Sequence, residues 1–375
     1  MENNILFLTL KVFSATGGIE KVCRVAGKSL YEYSLRTDSL AQVYCMHDRQ
    51  EDADDNRYFP SEMFRGFGKQ RMNFIRQSIR QGRKCHTVVI SHINLLLVGW
   101  MIKKLSPKTR IVMFAHGIEI WGDLPPYRKM MMNCCDQILS VSQFTSDRIH
   151  SQHQVPSPIL KVLNNCLDPF LPVGFSREPE QALRDKYGFT KDDTILFTLT
   201  RLSSKERYKG YDKVLQALVE LKKTHHRIRY LLAGSYDAEE KRHLDDMIDN
   251  MGLAEYVRIP GFISDDELVS HFSIADIYVM PSMKEGFGIV FIEAMYYGLP
   301  VIAGNKDGSV DALLNGELGI LVDPMDPEAI RKAIQAIMEQ GDKYLPDQKK
   351  LMDHFSYDQY KNKFENLIGA ENLQQ

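Results

Sequence analysis

The chain has 375 residues, of which 44% are hydrophobic and 26% are charged, and its formal net charge is −2. This length exceeds one ordinary domain of about 100–200 residues, so two globular domains are expected. The balanced charge argues against a nucleic-acid partner that is bound through bulk positive charge. The six cysteines show neither CxxC pairs nor zinc-ligand spacing, which predicts reduced thiols in a cytoplasmic compartment and no metal site of that kind.

The first predicted element is a β-strand at residues 5–10, followed by Gly17 and Gly18 and by a helical pattern that continues to about residue 33. A signal peptide is disfavoured because Glu2 stands where a basic segment is expected. A strand, a glycine turn and a helix typically begin a nucleotide-binding α/β sheet. No apolar run approaches the roughly 18 residues of a membrane-spanning helix, so no integral membrane segment is predicted.

A polar loop is predicted at residues 47–56 and a basic, amphipathic helix at residues 62–84. The loop contains an Asp-x-Asp motif at 52–54, which binds metal in one class of sugar-transfer enzymes, but the surrounding charges favour a solvated loop. One interpretation of the helix is an ordinary surface helix with a buried stripe. The other is a patch that meets anionic lipid, at about 1 kcal/mol per basic residue, and attaches the protein peripherally to the inner face of the cell membrane.

Further strands of the first unit are predicted at residues 87–91, 110–114 and 137–141. His116 follows the second of these strands and precedes a glycine. Because open α/β sheets bind ligands at the carboxyl ends of their strands, His116 is a candidate ligand-binding residue, and a hydrogen-bonded turn histidine is the alternative. Prolines and asparagines then accumulate near residues 166–180 and indicate a linker.

A second α/β unit begins with a strand predicted at residues 194–200, which leads into Arg201 and, at a helix start, into Lys209. Two cations in this position can reach one pyrophosphate, and a surface charge cluster is the alternative interpretation. Later strands at residues 229–233 and 277–280 alternate with helices, which predicts a parallel, doubly wound sheet. The predicted domains are residues 1–166 and 167–354, with a final helix at 355–370.

The region at residues 277–303 combines a buried strand, a glycine turn and a helix that begins near Ile289. Gly288 allows a close approach of the backbone to a ligand, and the helix start directs N–H groups and a positive dipole end towards it. Glu285 precedes this turn, and Glu293 follows eight residues later. An anion site flanked by carboxylates suits a ligand with phosphate and hydroxyl groups, such as a nucleotide sugar.

A family resemblance is carried by Arg201, Lys209-Gly210 and the E-x7-E pair Glu285 and Glu293. It extends to Gly17-Gly18, His116, the asparagine-rich linker and Lys306-Asp307-Gly308 before residues 319–322. Together they resemble the retaining GT-B glycosyltransferases of glycosyltransferase family 4. The resemblance implies an α/β, GT-B fold, in which two doubly wound Rossmann-like domains flank an interdomain cleft and the C-terminal helix packs back on the first domain. It also implies transfer of a hexose from a UDP- or GDP-sugar to a glycan or lipid-linked acceptor, without metal or cofactor, in surface polysaccharide or lipopolysaccharide assembly.

The same resemblance assigns roles to individual residues. The catalytic residues are Arg201 and Lys209, which neutralise the leaving diphosphate, Glu285, which faces the sugar hydroxyls, and His116, which holds the sugar or phosphate from the first domain. The donor-binding residues are Gly17, Gly18, Phe287, Gly288, Ile289, Glu293, which accepts from the ribose hydroxyls, and Lys205. Lys205 is the second choice for the phosphate-binding lysine because this loop is longer than is usual in the family.

Two other functions remain open from the sequence. A GT-B nucleotide-sugar epimerase or hydrolase would use the same donor site without an acceptor. A catalytically silent nucleotide-sugar-binding protein would keep the fold but could lose the charged residues, which are present here. A dehydrogenase is disfavoured because no G-x-G-x-x-G follows the first strand.

Overall fold

The structure, a computed structural model, describes residues 4–172 and 180–369. The chain divides into two compact units. Unit 1 contains Met1–Phe170 and Phe355–Gln375, and unit 2 contains Leu171–His354. Part of the predicted linker, at residues 173–179, and the last residue of the predicted final helix lie outside the described residues.

Unit 1 is built on a seven-stranded parallel sheet in the order β3-β2-β1-β4-β5-β6-β7. The strands are β1 (Ile5–Thr9), β2 (Ala41–Cys45), β3 (Phe64–Gly66), β4 (Thr87–Ile90), β5 (Arg110–Ala115), β6 (Gln137–Ser140) and β7 (Leu160–Val162). The helices are α1 (Gly18–Thr37), α2 (Arg71–Gly82), α3 (Leu96–Leu105), α4 (Ile118–Trp121), α5 (Pro126–Met132) and α6 (Gln143–His153). Every residue of β1, β4 and β5 is buried, as expected for parallel strands that are covered on both faces.

Unit 2 is built on a six-stranded parallel sheet in the order β10-β9-β8-β11-β12-β13. Its strands are β8 (Thr194–Leu199), β9 (Ile228–Ala233), β10 (Val257–Gly261), β11 (Ile277–Met280), β12 (Val301–Gly304) and β13 (Ile320–Val322). Its helices are α7 (Gln181–Tyr187), α8 (Tyr211–Leu221), α9 (Ala238–Asn250), α10 (Asp265–Ile274), α11 (Ile289–Tyr296), α12 (Ser309–Ala312), α13 (Pro327–Glu339) and α14 (Gln348–Phe355). The prediction of two doubly wound, Rossmann-like α/β domains is confirmed.

The last helix, α15 (Tyr357–Gly369), packs against α1 in unit 1. Lys361 forms an ion pair of 3.2 Å with Glu32 on α1. The guanidinium of Arg110, at the start of β5, donates to the carbonyl oxygens of Leu367 and Ile368 at 2.8 Å each. These contacts attach the C-terminal end of the chain to the first sheet.

The structure corrects the prediction of one helix over residues 62–84. The helix begins only at Arg71, and Phe64–Gly66 forms the edge strand β3, paired in parallel with β2. Two left-handed residues, Gly68 and Lys69, with φ of 53° and 70°, separate this strand from the helix. A left-handed backbone interrupts a right-handed helix, so the glycine was the sequence signal for the break.

Candidate donor-binding site in unit 2

The strand order of unit 2 reverses between β8 and β11. These two strands are neighbours in the sheet, although β9 and β10 lie between them in the sequence. In open α/β sheets such a reversal leaves a crevice at the carboxyl ends of the strands, where ligands bind. The loops that follow β8 and β11 contain the predicted site residues 201–209 and 285–289. The fold therefore brings the two predicted motifs to one sheet edge.

Lys209 and Glu285 form a buried ion pair at this edge. The Lys209 Nζ contacts Oε1 of Glu285, and each side chain is only 14% exposed. Burial on its own would lower the pKa of Lys209, but the charge and the hydrogen bond of Glu285 outweigh it and raise that pKa. The lysine therefore stays protonated at neutral pH and presents a positive charge in a site with little solvent.

Backbone contacts hold these two loops against each other. The Met283 N–H donates to the carbonyl oxygen of Tyr208 at 2.9 Å. Gly210 has φ of 79°, and a Cβ there would clash with the carbonyl oxygen of Pro281. A glycine is thus required after Lys209 both by the backbone conformation and by the close approach of the second loop.

Two carboxylates hold the loop from Arg201 to Lys209: Asp237, which is the N-cap of α9, and Glu240 in the first turn of that helix. Asp237 accepts from the N–H of Ser204 at 2.9 Å, and the N–H groups of Glu240 and then Ser204 lower its pKa to about 2. Glu240 is fully buried and accepts from Nε of Arg207 at 2.7 Å. The sequence interpretation missed these residues, although an aspartate before a helix is a recognisable N-cap.

Arg201 and Lys205 occupy more exposed positions than Lys209. Arg201 is 68% exposed and makes a two-point ion pair with Glu206, at 2.8 and 3.1 Å. Lys205 is exposed in the same loop. The contact with Glu285 therefore favours Lys209 over Lys205 as the lysine of the site, whereas Arg201 is paired with Glu206.

The turn after Glu285 leads directly into α11. Phe287 is buried, and Gly288 has φ of 86° at the position that caps the helix. Ile289 begins the helix and is half-buried, while Glu293 lies one turn further on and is buried. The described backbone thus matches the predicted strand, glycine turn and helix, with the two glutamates on either side of the helix start.

A third loop, between β12 and α12, supports the Glu285 turn. The buried carboxylate of Asp307 accepts from the N–H of Glu285 at 2.6 Å and from the N–H of Ser309 at 2.9 Å. The Gly308 N–H in turn donates to the carbonyl oxygen of Glu285 at 2.8 Å. Burial, together with the nearby charge of Glu285, raises the pKa of Asp307 to about 7. Asp307 was part of the family resemblance, which assigned no role to it.

The first loop of unit 1 is organised by a buried aspartate as well. The Oδ2 of Asp48 accepts from the N–H groups of Val12 and Phe13 at 2.8 Å each. Gly17 and Gly18 follow at the start of α1, where a Cβ on Gly18 would meet open space. Asp48 is fully buried, whereas Asp52 and Asp54 of the Asp-x-Asp motif are exposed, as the prediction of a solvated motif requires.

His116 lies at the carboxyl end of β5, as predicted. Its Nε2 is 2.7 Å from the carbonyl oxygen of Ser91, and because a carbonyl can only accept, Nε2 carries the proton. Its backbone N–H donates to Glu119 at 2.6 Å, and its ring stacks on Phe114 at 5.9 Å. In the tautomer with the proton on Nε2, Nδ1 has the capacity to accept a hydrogen bond.

A second histidine, His92, follows the adjacent strand β4 and was not singled out from the sequence. Its Nδ1 accepts from the N–H of Asn94 at 3.0 Å, which leaves Nε2 as the donor of the neutral ring. Burial is the main cause that lowers the pKa of His92, with Arg128 acting in the same direction and Glu119 opposing it. His92 is therefore a neutral imidazole at physiological pH.

Residues 179–356 match the family model described as glycosyl transferases group 1. This segment covers the loops of Arg201, Lys209, Glu285 and Asp307. With the two Rossmann-like sheets, the match supports a glycosyltransferase of the GT-B type.

Among individual relatives, the chain is 31% identical over 253 residues to a GDP-mannose-dependent alpha-(1-6)-phosphatidylinositol monomannoside mannosyltransferase of Mycolicibacterium smegmatis, covering 64% of this chain and 63% of that protein. It is 28% identical over 189 residues to an alpha-monoglucosyldiacylglycerol synthase of Acholeplasma laidlawii, covering 50% of this chain and 46% of that protein. The chain thus spans about half to two thirds of the length of these relatives.

The fold resembles solved structures over nearly the whole chain. Anabaena Alr3699/HepE in complex with UDP and glucose matches with a TM-score of 0.77 at 18% identity, covering 98% of this chain and 99% of that one. The lipopolysaccharide outer core galactosyltransferase WaaB matches with a TM-score of 0.71 at 15% identity, covering 98% and 99%. At this identity the similarity concerns the fold alone.

Proposed function

We propose that the protein is a retaining glycosyltransferase that moves a hexose from a UDP- or GDP-sugar to a glycan or lipid-linked acceptor. The observation that carries the proposal is the buried Lys209–Glu285 pair at the strand-order reversal of unit 2. It presents a positive charge for the diphosphate beside a carboxylate for the hydroxyls of the sugar. The likeness to a GDP-mannose-dependent enzyme and to a fold that binds UDP supports either of the two bases.

The reaction requires positive charge where the leaving diphosphate gains negative charge. Lys209 and Arg201 supply it, with each charge-assisted contact worth roughly 1.5–3 kcal/mol, so these cations do the work of a metal ion in other transferases. Arg201 exchanges its partner Glu206 for the diphosphate. The N–H groups at the start of α11 contribute to the same anion site.

Two glutamates and a histidine position the rest of the donor. Glu285 accepts from sugar hydroxyls and Glu293 from ribose hydroxyls. His116 in unit 1 uses the acceptor capacity of Nδ1 towards a sugar hydroxyl, since Nε2 is committed to Ser91. In the retaining mechanism the acceptor attacks on the face that the diphosphate leaves, and a phosphate oxygen takes the acceptor's proton.

The acceptor is proposed to be a saccharide or a lipid-linked molecule in surface-glycan assembly. Two relatives are named for acting on phosphatidylinositol mannoside and on diacylglycerol lipids. A nucleotide-sugar epimerase or hydrolase, or a catalytically silent sugar-nucleotide binder, would use the same residues of unit 2. Formation of a product only when an acceptor is present separates transfer from these alternatives.

We also propose that α2 of unit 1 attaches the protein to an anionic membrane surface. Four exposed cations and one apolar residue line a groove of about 420 Å³: Arg76, Arg80, Arg83, Lys84 and Ile79. None of the four cations forms an ion pair with a described residue. Met72, on the same helix, is 77% exposed. Among the described helices, none has the length and hydropathy of a membrane span.

A panel of nucleotide sugars tests the donor assignment. Thermal unfolding of the whole chain is measured with UDP-glucose, UDP-galactose, GDP-mannose and ADP-glucose, because a ligand that binds the folded state raises its stability by RT ln(1 + [L]/Kd). A UDP- or GDP-sugar is expected to stabilise the protein most, at micromolar to millimolar concentration. Absence of stabilisation by every member of the panel would contradict the proposed function.

A further inference from the structure

Asp307 has a position that the proposed donor chemistry does not by itself explain. A fully buried carboxylate is costly unless its oxygens are hydrogen-bonded. The two oxygens of Asp307 are committed to two backbone donors, with Oδ2 facing the N–H of Glu285 and Oδ1 the N–H of Ser309. Its side chain therefore ties the loop after β12 to the loop after β11.

The same two loops interlock through glycines. The Gly308 N–H donates to the Glu285 carbonyl oxygen, and a Cβ on Gly308 would clash with the carbonyl oxygen of Gly286. The backbone of Glu285 is thus held at both its N–H and its carbonyl group. The side chain of Glu285 leaves this fixed backbone towards Nζ of Lys209.

We propose that Asp307 is the positioning residue of the donor site: its ionised carboxylate holds the Glu285 turn in the geometry in which Glu285 meets Lys209 and the sugar. This inference rests on the proposed function for the ligand, but the hydrogen bond to the Glu285 N–H exists without it. Asparagine cannot replace the carboxylate fully, because it offers one oxygen and an NH₂ group to two N–H donors.

Protonation of Asp307 weakens the same contact, because the oxygen that carries the proton is a poorer acceptor. The charged groups of these interlocked loops are the exposed Lys284, Glu285, with Lys209 beyond it, and Lys306, whose Nζ is bound by Asp323 at 2.7 Å. Of these, Glu285 is a cause of the raised pKa of Asp307. Turnover is therefore expected to rise with pH as Asp307 ionises near pH 7.

The free energy of unfolding should fall as the pH rises, whereas turnover should increase. The folded-state pKa of about 7 lies above the ordinary value of 3.8, so the contribution of Asp307 is fully present below about pH 3.8. It is lost progressively as the pH rises through about 7. The Asp307→Asn variant lacks this dependence, so the stability of the wild type relative to the variant should decline over that interval.

Amide hydrogen exchange of Glu285 tests the inference directly, in the whole chain without ligand. In Asp307→Asn, the Glu285 amide is expected to exchange about tenfold faster or more than in the wild type, because a charge-assisted hydrogen bond is lost. Asp323→Asn is the matched control, since it removes a neighbouring carboxylate that pairs with Lys306 on the surface, and it should leave that rate unchanged. Equal rates in Asp307→Asn and the wild type would overturn the proposal.

Two further readouts keep the test informative if Asp307→Asn folds poorly. Protection of the Glu285 amide in the wild type, corrected for the intrinsic pH dependence of exchange, should increase between pH 6 and about pH 8. Turnover of the donor that stabilises the protein most should show the same midpoint. If no nucleotide sugar is bound, the proposed function fails while the exchange result stands. If a donor is turned over but the protection of the Glu285 amide changes neither with pH nor in Asp307→Asn, the proposed positioning role is wrong while the proposed function stands.

Discussion

In both units a buried aspartate holds a loop that follows a strand, but the two loops differ in the side chains they carry. In unit 1, Asp48 holds the loop after β1 through backbone N–H groups, and in unit 2, Asp307 holds the Glu285 turn in the same manner. The loop of unit 1 leads into Gly17 and Gly18, with open space before Gly18. The loops of unit 2 instead bring Lys209 and Glu285 together. The shared fold supplies a rigid loop at the end of a strand, and the side chains on that loop decide its chemistry.

The largest effect should come from removing the cation of unit 2. Lys209→Ala is expected to lower turnover of the preferred donor by about 10²–10³, because a charge directed at the leaving diphosphate is lost. Steady-state kinetics with the donor chosen from the panel measure this loss. Lys11→Ala, in the loop after β1 of unit 1, is the matched control and should retain nearly full turnover. Equal losses of turnover in both variants would contradict the proposal that the catalytic cation lies in unit 2 and not in the first loop of unit 1.

A smaller effect is expected for the basic groove of unit 1. Replacing Arg76, Arg80, Arg83 and Lys84 together by Gln should reduce binding to phosphatidylglycerol-containing vesicles by about 10²–10³-fold, since each of the four cations contributes roughly fivefold near an anionic surface. Co-sedimentation at low salt measures it, and the binding of the wild type should fall as salt screens the charges. The expected binding to pure phosphatidylcholine vesicles is weak for both proteins.

The matched control for this groove removes the same charge from unit 2. The control replaces four exposed cations by Gln: Arg227, Lys332, Lys343 and Lys349. It should bind vesicles like the wild type. If both quadruple variants lose binding equally, net charge and not the groove is responsible. If inorganic phosphate at the same total charge displaces the wild type from the vesicles completely, the groove binds phosphate and not a membrane surface.

The parts of the molecule that follow a repeating pattern could be predicted from the sequence. Buried runs such as Ile277–Met280 identified strands, and Glu285, Gly288 and Glu293 identified a turn and a helix start with an anion-binding character. These signals are local, because they depend on residues that are adjacent or one helical turn apart. The ion pair between Lys209 and Glu285 was not predicted, because it depends on the strand order that brings their two loops together.

The parts that depend on single residues could not be predicted. Asp48 and Asp307 each stand in a polar loop, where an aspartate is normally solvated, and their burial depends on backbone N–H groups that the fold brings to them. The break before Arg71 falls at the left-handed Gly68 and Lys69. The glycine is visible in the sequence, but a glycine alone does not fix where a helix begins. Arg201 was predicted to neutralise the diphosphate together with Lys209, and its pairing with Glu206 arises from the loop conformation.

Hydrogen exchange with bound donor is the most direct test of whether the loops of unit 2 bind the nucleotide sugar. The nucleotide sugar that stabilises the protein most is added at saturating concentration, and backbone exchange is followed over the whole chain. New protection is expected at residues 201–210 and 285–293 of unit 2, with a smaller change at residues 12–18 and 116–119 of unit 1. Protection confined to unit 1, with residues 201–210 and 285–293 unchanged, would contradict it.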